Sequence, residues 1–136
     1  GRKELELIYT NAKIEEQCTS LKAARMCLDN KLLKDCINRC YYVAFYAVKA
    51  VLAIEGTDFK RHKDAIAYFN KTYVASGKFP RDVGKLLGRL KTVREDSDYS
   101  EFYIASLEDA TKQYEAACFI KNEIEKYLEE NNDLKM

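Results

Sequence analysis

The sequence predicts an all-α fold, an up-and-down bundle of about five helices around a long central second helix. Three observations lead there. From Leu32 to Ile54 apolar residues recur at every helical offset (Leu33, Cys36, Ile37, Cys40, Val43, Ala44, Ala47, Val48, Val51 and Ile54), with no Gly or Pro inside. That is the pattern of a helix packed on most of its circumference. No stretch shows a convincing strand pattern. The 136 residues include one Pro and five Gly, with no Gly/Ser-rich linker. A single domain over residues 1 to 136 is therefore expected, long enough to bury roughly two-thirds of its unfolded surface.

The first helix runs from Leu5 to Leu28, with Leu7, Ile14, Cys18, Leu21 and Leu28 on one line and Glu15, Glu16 and Lys22 off it. Asp29-Asn30-Lys31 breaks the pattern with turn-prone residues, and so short a connection makes the first and central helices antiparallel neighbours. Gly56 ends the central helix and Thr57 to Arg61 form a polar loop. A third helix follows from about His62 to Val74, with Ala65, Ile66, Phe69 and Tyr73 inward, closed by Ser76-Gly77-Lys78-Phe79-Pro80. Arg81 to Val93 reads as a fourth helix, with Leu86, Leu87, Leu90 and Val93 inside and Arg81, Lys85 and Arg89 outside. Gly84 and Gly88 weaken it by roughly 1 kcal/mol each relative to Ala. Glu95 to Tyr103 has no helical apolar period and reads as a functional or docking loop. Ser106 then caps a last helix carrying Glu108 and Asp109 in its first turn, which proceeds through Ala110, Tyr114, Ala117, Ile120, Ile124 and Leu128. Beyond Glu130 the tail is expected to fray.

Arg39 and Lys49 interrupt the longest apolar run, so a bilayer span is not expected, and the N-terminus lacks a signal-peptide core. The cytoplasm is the expected compartment. Five cysteines scattered on helical patterns, without paired CxxC units, suit reduced core thiols. With His62 the only histidine, no metal site is expected, and no cofactor either. The formal charge is +1, yet from Lys60 to Arg94 ten Lys or Arg stand against two acids, giving +8, and from Glu95 to Met136 four stand against twelve, giving −8. This is either internal neutralisation within the bundle or a face that attracts phosphates.

Asp35, Arg39, Tyr42, Tyr46 and Lys49 follow at steps of four, three, four and three, a polar and aromatic stripe on an otherwise buried helix. It lines a cleft or a subunit interface. The bland alternative is an Asp35–Arg39 pair within the helix and tyrosines filling an interface. His62 sits within Lys60-Arg61-His62-Lys63, whose cations disfavour its protonation. Arg94, Asp98 and Tyr99 read most simply as a cluster pinning a loop.

The run Asn38-Arg39-Cys40-Tyr41-Tyr42-Val43-Ala44-Phe45-Tyr46, after a long helix and before a loop with Lys60, His62 and Lys63, resembles the HEPN domain (higher eukaryotes and prokaryotes nucleotide-binding). Arg94 followed by Asp98-Tyr99, and Ala117-Cys118-Phe119-Ile120 in the closing helix, fit the same pattern. The resemblance implies a helical bundle that commonly dimerises. It also implies, for small prokaryotic members, frequent pairing with a minimal nucleotidyltransferase, and in many members metal-independent RNA cleavage. Cleaving members carry an Arg followed after four to six residues by a His on the central helix, brought together with its copy across a dimer. Arg39 matches the Arg, but Ala44, Phe45 and Tyr46 stand where the His would fall. A phenol near pKa 10 is a poor proton carrier at pH 7.

The expected function is therefore a nucleotide- or RNA-binding homodimer, paired with a nucleotidyltransferase in a toxin–antitoxin arrangement. Its candidate ligand residues are Asn38, Arg39, Tyr42, Lys49, Lys60, His62, Lys63 and Arg94, with Asp98 and Tyr99 as a loop motif. The alternatives are a metal-independent ribonuclease using Arg39 with His62 or Tyr46, and a structural dimerisation module without a ligand.

Overall fold

A computed structural model describes residues 1–131 of the chain. It contains α1 (Arg2–Asp29), α2 (Leu33–Ile54), α3 (His62–Phe69), a π-helical turn (Asn70–Val74), α4 (Arg81–Tyr99) and α5 (Leu107–Glu130). Among the described residues there is no strand. The fraying expected of the tail concerns residues 132–136, which lie outside the described residues.

α2 is the central element. Cys36, Ile37, Cys40, Val43, Ala44, Val48, Val51 and Leu52 are among its buried residues, and α1, α3, α4 and α5 all pack on it. Its length and mean hydropathy of 1.2 would suit a membrane span, but 72% of that window is buried inside the bundle. Its apolar surface is used up by its neighbours, as in a core helix.

Both ends of the α1–α2 hairpin are fixed by backbone geometry. After α1, Leu32 N–H donates to Cys27 O at 2.8 Å and Lys31 N–H to Leu28 O at 3.1 Å, with Lys31 at φ 57°. After α2, Thr57 N–H donates to Leu52 O and Gly56 N–H to Ala53 O, each at 3.0 Å, with Gly56 at φ 72°. This paired pattern absorbs the last carbonyls of a helix and needs a left-handed residue. Glycine supplies it after α2, while Lys31 adopts it after α1 against its preference. At α5 the Ser106 hydroxyl accepts from Asp109 N–H at 3.0 Å, as the sequence predicts.

Three expectations need correction. On α1, Ile14 is buried and Cys18, Leu21 and Leu28 pack against the core as expected, but Leu7 is 39% exposed and the fully inward positions also include Thr10, Gln17, Ser20 and Ala24, which hydrophobicity alone does not mark. The third helix is α-helical only to Phe69 and then widens into the π turn. The expected loop from Glu95 is helical through Tyr99: Lys91–Glu95 and Arg94–Asp98 ion pairs bridge successive turns, and Ser97 faces the core. The non-helical connection is Ser100 to Ser106.

The two glycines of α4 differ. A Cβ on Gly84 would lie 3.1 Å from Val74 Cγ1 and 3.2 Å from Asn70 Oδ1, while one on Gly88 would meet nothing within 4 Å. Gly88→Ala is expected to raise unfolding stability by up to about 1 kcal/mol, and Gly84→Val to lower it by about 1 to 3 kcal/mol through crowding against the π turn. Urea denaturation of both variants checks this contrast.

Candidate functional site

The polar stripe of α2 does not form one surface; its members enter three environments. Arg39 and Tyr46 line a groove of about 450 Å³ with Ala12, Glu15, Glu16, Thr19 and Ser20 of α1. Two carboxylates border the exposed Arg39 there; among the described residues neither forms an ion pair with it, and Glu16 pairs with Lys13. Burial pushes the Tyr46 phenol pKa up, and the Glu16 charge adds to the rise although Lys13 opposes it. Among the described residues, no ion pair joins Asp35 to Arg39.

Lys49, at the other end, is buried and forms an ion pair with Asp58. Burial works to raise the Asp58 pKa, but Lys49 and the N–H of Phe59 hold it below its usual value. An ammonium enclosed by a core must be paired. Lys49 therefore anchors the Thr57–Arg61 loop and so sets where His62 begins α3.

Between these ends lies an aromatic and cationic cluster. The His62 ring stacks on Phe45 with centroids 3.8 Å apart, stands edge-on to Tyr42 at 5.8 Å, and places Nδ1 3.1 Å from the Tyr41 hydroxyl. The Arg94 guanidinium lies over the rings of Tyr41 and Tyr42, at 5.1 and 5.5 Å from their centroids. Its Nε is 3.2 Å from Asp98 Oδ2. Tyr41 and Tyr42 are neighbours on α2, about 100° apart around its axis, so two rings and a helix from the far side of the chain enclose one guanidinium.

The cluster sets its own protonation. Burial lowers the His62 pKa, and the Arg94 and Lys49 charges lower it further, so the imidazole is mainly neutral at pH 7. Burial pushes the Tyr41 phenol up to about 12, against the opposing pull of Arg94, so it keeps its proton. If that phenol donates to Nδ1, His62 presents an Nε2–H donor. If Nδ1–H donates to the phenol oxygen, Nε2 presents a lone pair. One tautomer suits holding an anion, the other taking a proton.

The cluster thus gathers His62, Arg94, Tyr42 and Asp98 from the sequence candidates. Exposed Lys60 and Lys63 flank His62 in the chain, half-buried Asn38 lies one turn before Tyr41 and Tyr42, and Tyr99 is 75% exposed at the end of α4. Arg39 is not part of it: the cations acting on His62 are Arg94 and Lys49. Sequence reasoning missed Tyr41 and Phe45, which looked like core. The available signal was the Tyr41-Tyr42 pair itself, because adjacent helical residues lie about 100° apart and so meet different neighbours. Among the described residues, no group of three or more His, Cys, Asp or Glu converges as metal ligands would.

Comparison with known proteins gives a consistent result. A profile described as the HEPN domain matches residues 15–127. A "UPF0332 protein" of Thermotoga maritima is 33% identical over 110 residues, 81% of this chain and 83% of that protein. A protein of Methanocaldococcus jannaschii named "Putative toxin MJ0605" is 30% identical over 119 residues, 88% of each chain. A second from the same organism, "Putative toxin MJ0142", is 25% identical over 134 residues, 98% of this chain and 88% of that protein.

The depressed pKa of His62 has a stability consequence with a definite sign. Below its unperturbed value of about 6.5 the unfolded chain takes up the proton more readily than the folded protein. The contribution is complete above about pH 6.5 and is lost as pH falls through the lower folded value. Between about pH 7.5 and 5.5 the melting temperature of the wild type is therefore expected to fall more than that of His62→Gln. Parallel pH profiles of the two proteins would refute the assignment.

Proposed function

The chain belongs to the HEPN domain family, and on that premise we propose that it is a toxin-type member that binds RNA or a nucleotide through the Arg94–His62 cluster. The observation that carries this reading is the Arg94 guanidinium laid across Tyr41 and Tyr42 beside a neutral imidazole. A guanidinium already held in place loses little freedom on binding phosphate, and its terminal N–H groups suit phosphate oxygens. His62 adds a donor without adding charge, and the basic stretch containing Lys60 and Lys63 draws polyanions toward it. The toxin names of the two Methanocaldococcus relatives support the biological class. Homodimerisation, a nucleotidyltransferase partner and a cytoplasmic setting complete the reading.

A second reading, metal-independent RNA cleavage, is favoured by the ring nitrogen of His62 that Tyr41 does not engage. Acting as a base, Nε2 would take the proton of a ribose 2′-OH, whose oxygen attacks the adjacent phosphorus as the P–O5′ bond breaks and the 5′-oxygen takes a proton from solvent, while Arg94 steadies charge on the phosphate. His62 with Arg94 serves this chemistry better than Arg39 with Tyr46, whose phenol is pushed further from neutrality.

The test is anisotropy of a labelled single-stranded RNA, with folding of each variant checked by circular dichroism. Arg94→Ala is expected to weaken binding about tenfold or more, the effect of losing charge-assisted hydrogen bonds. Arg39→Ala, across from Glu15 and Glu16, is expected to change it less than about threefold. Undiminished binding by Arg94→Ala would remove the proposed site. Metal-free cleavage by the wild type that His62→Ala abolishes would establish the second reading. Absence of any RNA or nucleotide binding would leave a packing module.

A further inference from the structure

The aromatic and cationic contacts do not stop at the Arg94–His62 cluster. The ring of Tyr42, which carries the Arg94 guanidinium, lies 5.7 Å from the ring of Tyr46, one turn further along α2. Lys13 of α1 then places Nζ 5.6 Å from the centroid of Tyr46 and 5.0 Å from that of Tyr9. Arg94, Tyr42, Tyr46, Lys13 and Tyr9 thus form an unbroken ladder from α4 across α2 to α1, with every step between 5.0 and 5.7 Å. The first four are half-buried, and Tyr9 at the far end is 38% exposed. Tyr9 and Lys13 precede residue 15, where the match to the HEPN profile begins, so the ladder leads out of the stretch that the profile covers.

A cation within about 6 Å of a ring centroid is drawn to the face of the ring. Four-residue spacing puts Tyr9 with Lys13 on one line of α1 and Tyr42 with Tyr46 on one line of α2, so each helix supplies two rungs. The side chains are held by one another before any ligand arrives, which lowers the ordering cost of binding. Their charges are largely offset: Lys13 pairs with Glu16 and Arg94 with Asp98, each at 3.2 Å. At the outer rungs the grip on a ligand therefore comes from ring faces more than from net charge.

We propose that the ladder is the track of a single RNA strand, with one nucleotide at the Arg94–His62 cluster and the following bases stacked along Tyr46 and Tyr9. The inference rests on the Arg94–His62 reading and deepens it by naming the ligand class, an unpaired strand of several nucleotides. Such a strand interleaves anionic phosphates with flat bases, and the ladder interleaves cations with flat rings. A mononucleotide reaches only the first rungs. A duplex is a poorer occupant, because its bases keep their faces within the stack. Every base has a π-face, so the track tolerates different sequences.

Calorimetric titration of the full chain with adenosine 5′-monophosphate and with oligoadenylates of two to six nucleotides tests this, for the wild type, Tyr9→Ala, Tyr9→Phe and Arg94→Ala. Circular dichroism checks folding, which the exposed position of Tyr9 favours. Wild-type affinity should rise with length. Tyr9→Ala should weaken binding of the hexanucleotide about tenfold, the loss of one stacked base, and change binding of the mononucleotide less than about twofold. Tyr9→Phe keeps the ring and should hold the hexanucleotide to within about threefold of the wild type. Arg94→Ala should weaken both ligands. Tyr9→Trp adds a spectroscopic reading, because the chain has no tryptophan of its own: the hexanucleotide should quench its emission and the mononucleotide should not. An affinity independent of length, or a hexanucleotide that binds Tyr9→Ala as tightly as the wild type, overturns the track and leaves the Arg94–His62 site standing. Equal losses for both ligands in Tyr9→Ala overturn it as well, since the effect is then general. A wild type that binds none of these ligands overturns the track and the site together.

Discussion

Because α2 is enclosed along most of its length, each polar group on its buried faces has to find its partner inside the protein. Burying an unpaired ammonium or hydroxyl costs several kcal/mol, more than most single contacts return. Lys49 meets the requirement through Asp58, Tyr41 through His62, and Tyr41 and Tyr42 together by accepting the Arg94 guanidinium on their faces. Each solution recruits a group from another segment. The loop after α2, the start of α3 and the second half of α4 are thus tied to the central helix by polar contacts set in an apolar interior.

The chemistry of the cluster follows from that enclosure. Partial burial keeps His62 neutral and Tyr41 protonated, and it lets the positive charge of Arg94 act at short range with little screening. Arg39 shows the contrast. On the same helix, one face away, it opens onto a groove bordered by Glu15 and Glu16, whose negative charge works against an incoming phosphate. A guanidinium's environment, and not its presence on the central helix, decides whether it is available to a ligand.

The two sides of α4 differ. Its inner side brings Arg94 to α2 and pairs it with Asp98 on the next turn. Its outer side carries Arg81, Lys85 and Arg89 toward the N-terminal end and Asp96 toward the C-terminal end, the reverse of what the helix dipole favours, with Asp82 in the first turn offsetting this in part. Of the acidic block seen in the sequence only Glu95, Asp96 and Asp98 lie on α4, and most of the others lie on α5.

The sequence by itself determined the helices and their order, because apolar spacing, Gly56 and the Ser106 cap act within a few residues of where they stand. It also determined that Arg94, His62, Tyr42 and Asp98 were worth attention, since those residue types in that order resemble a family. It misread the extent of α4, where ion pairs one turn apart hold a polar segment helical without any apolar period, and it missed the buried Thr10, Gln17, Ser20 and Ala24 on the inner face of α1. What only the tertiary structure decided is which arginine meets the histidine. Arg39 and Arg94 are equivalent as letters, and their distinction arises from contacts between α2, α3 and α4 that are remote in sequence. The same holds for Tyr41 and Phe45, whose aromatic faces look like core until a guanidinium and an imidazole are placed against them.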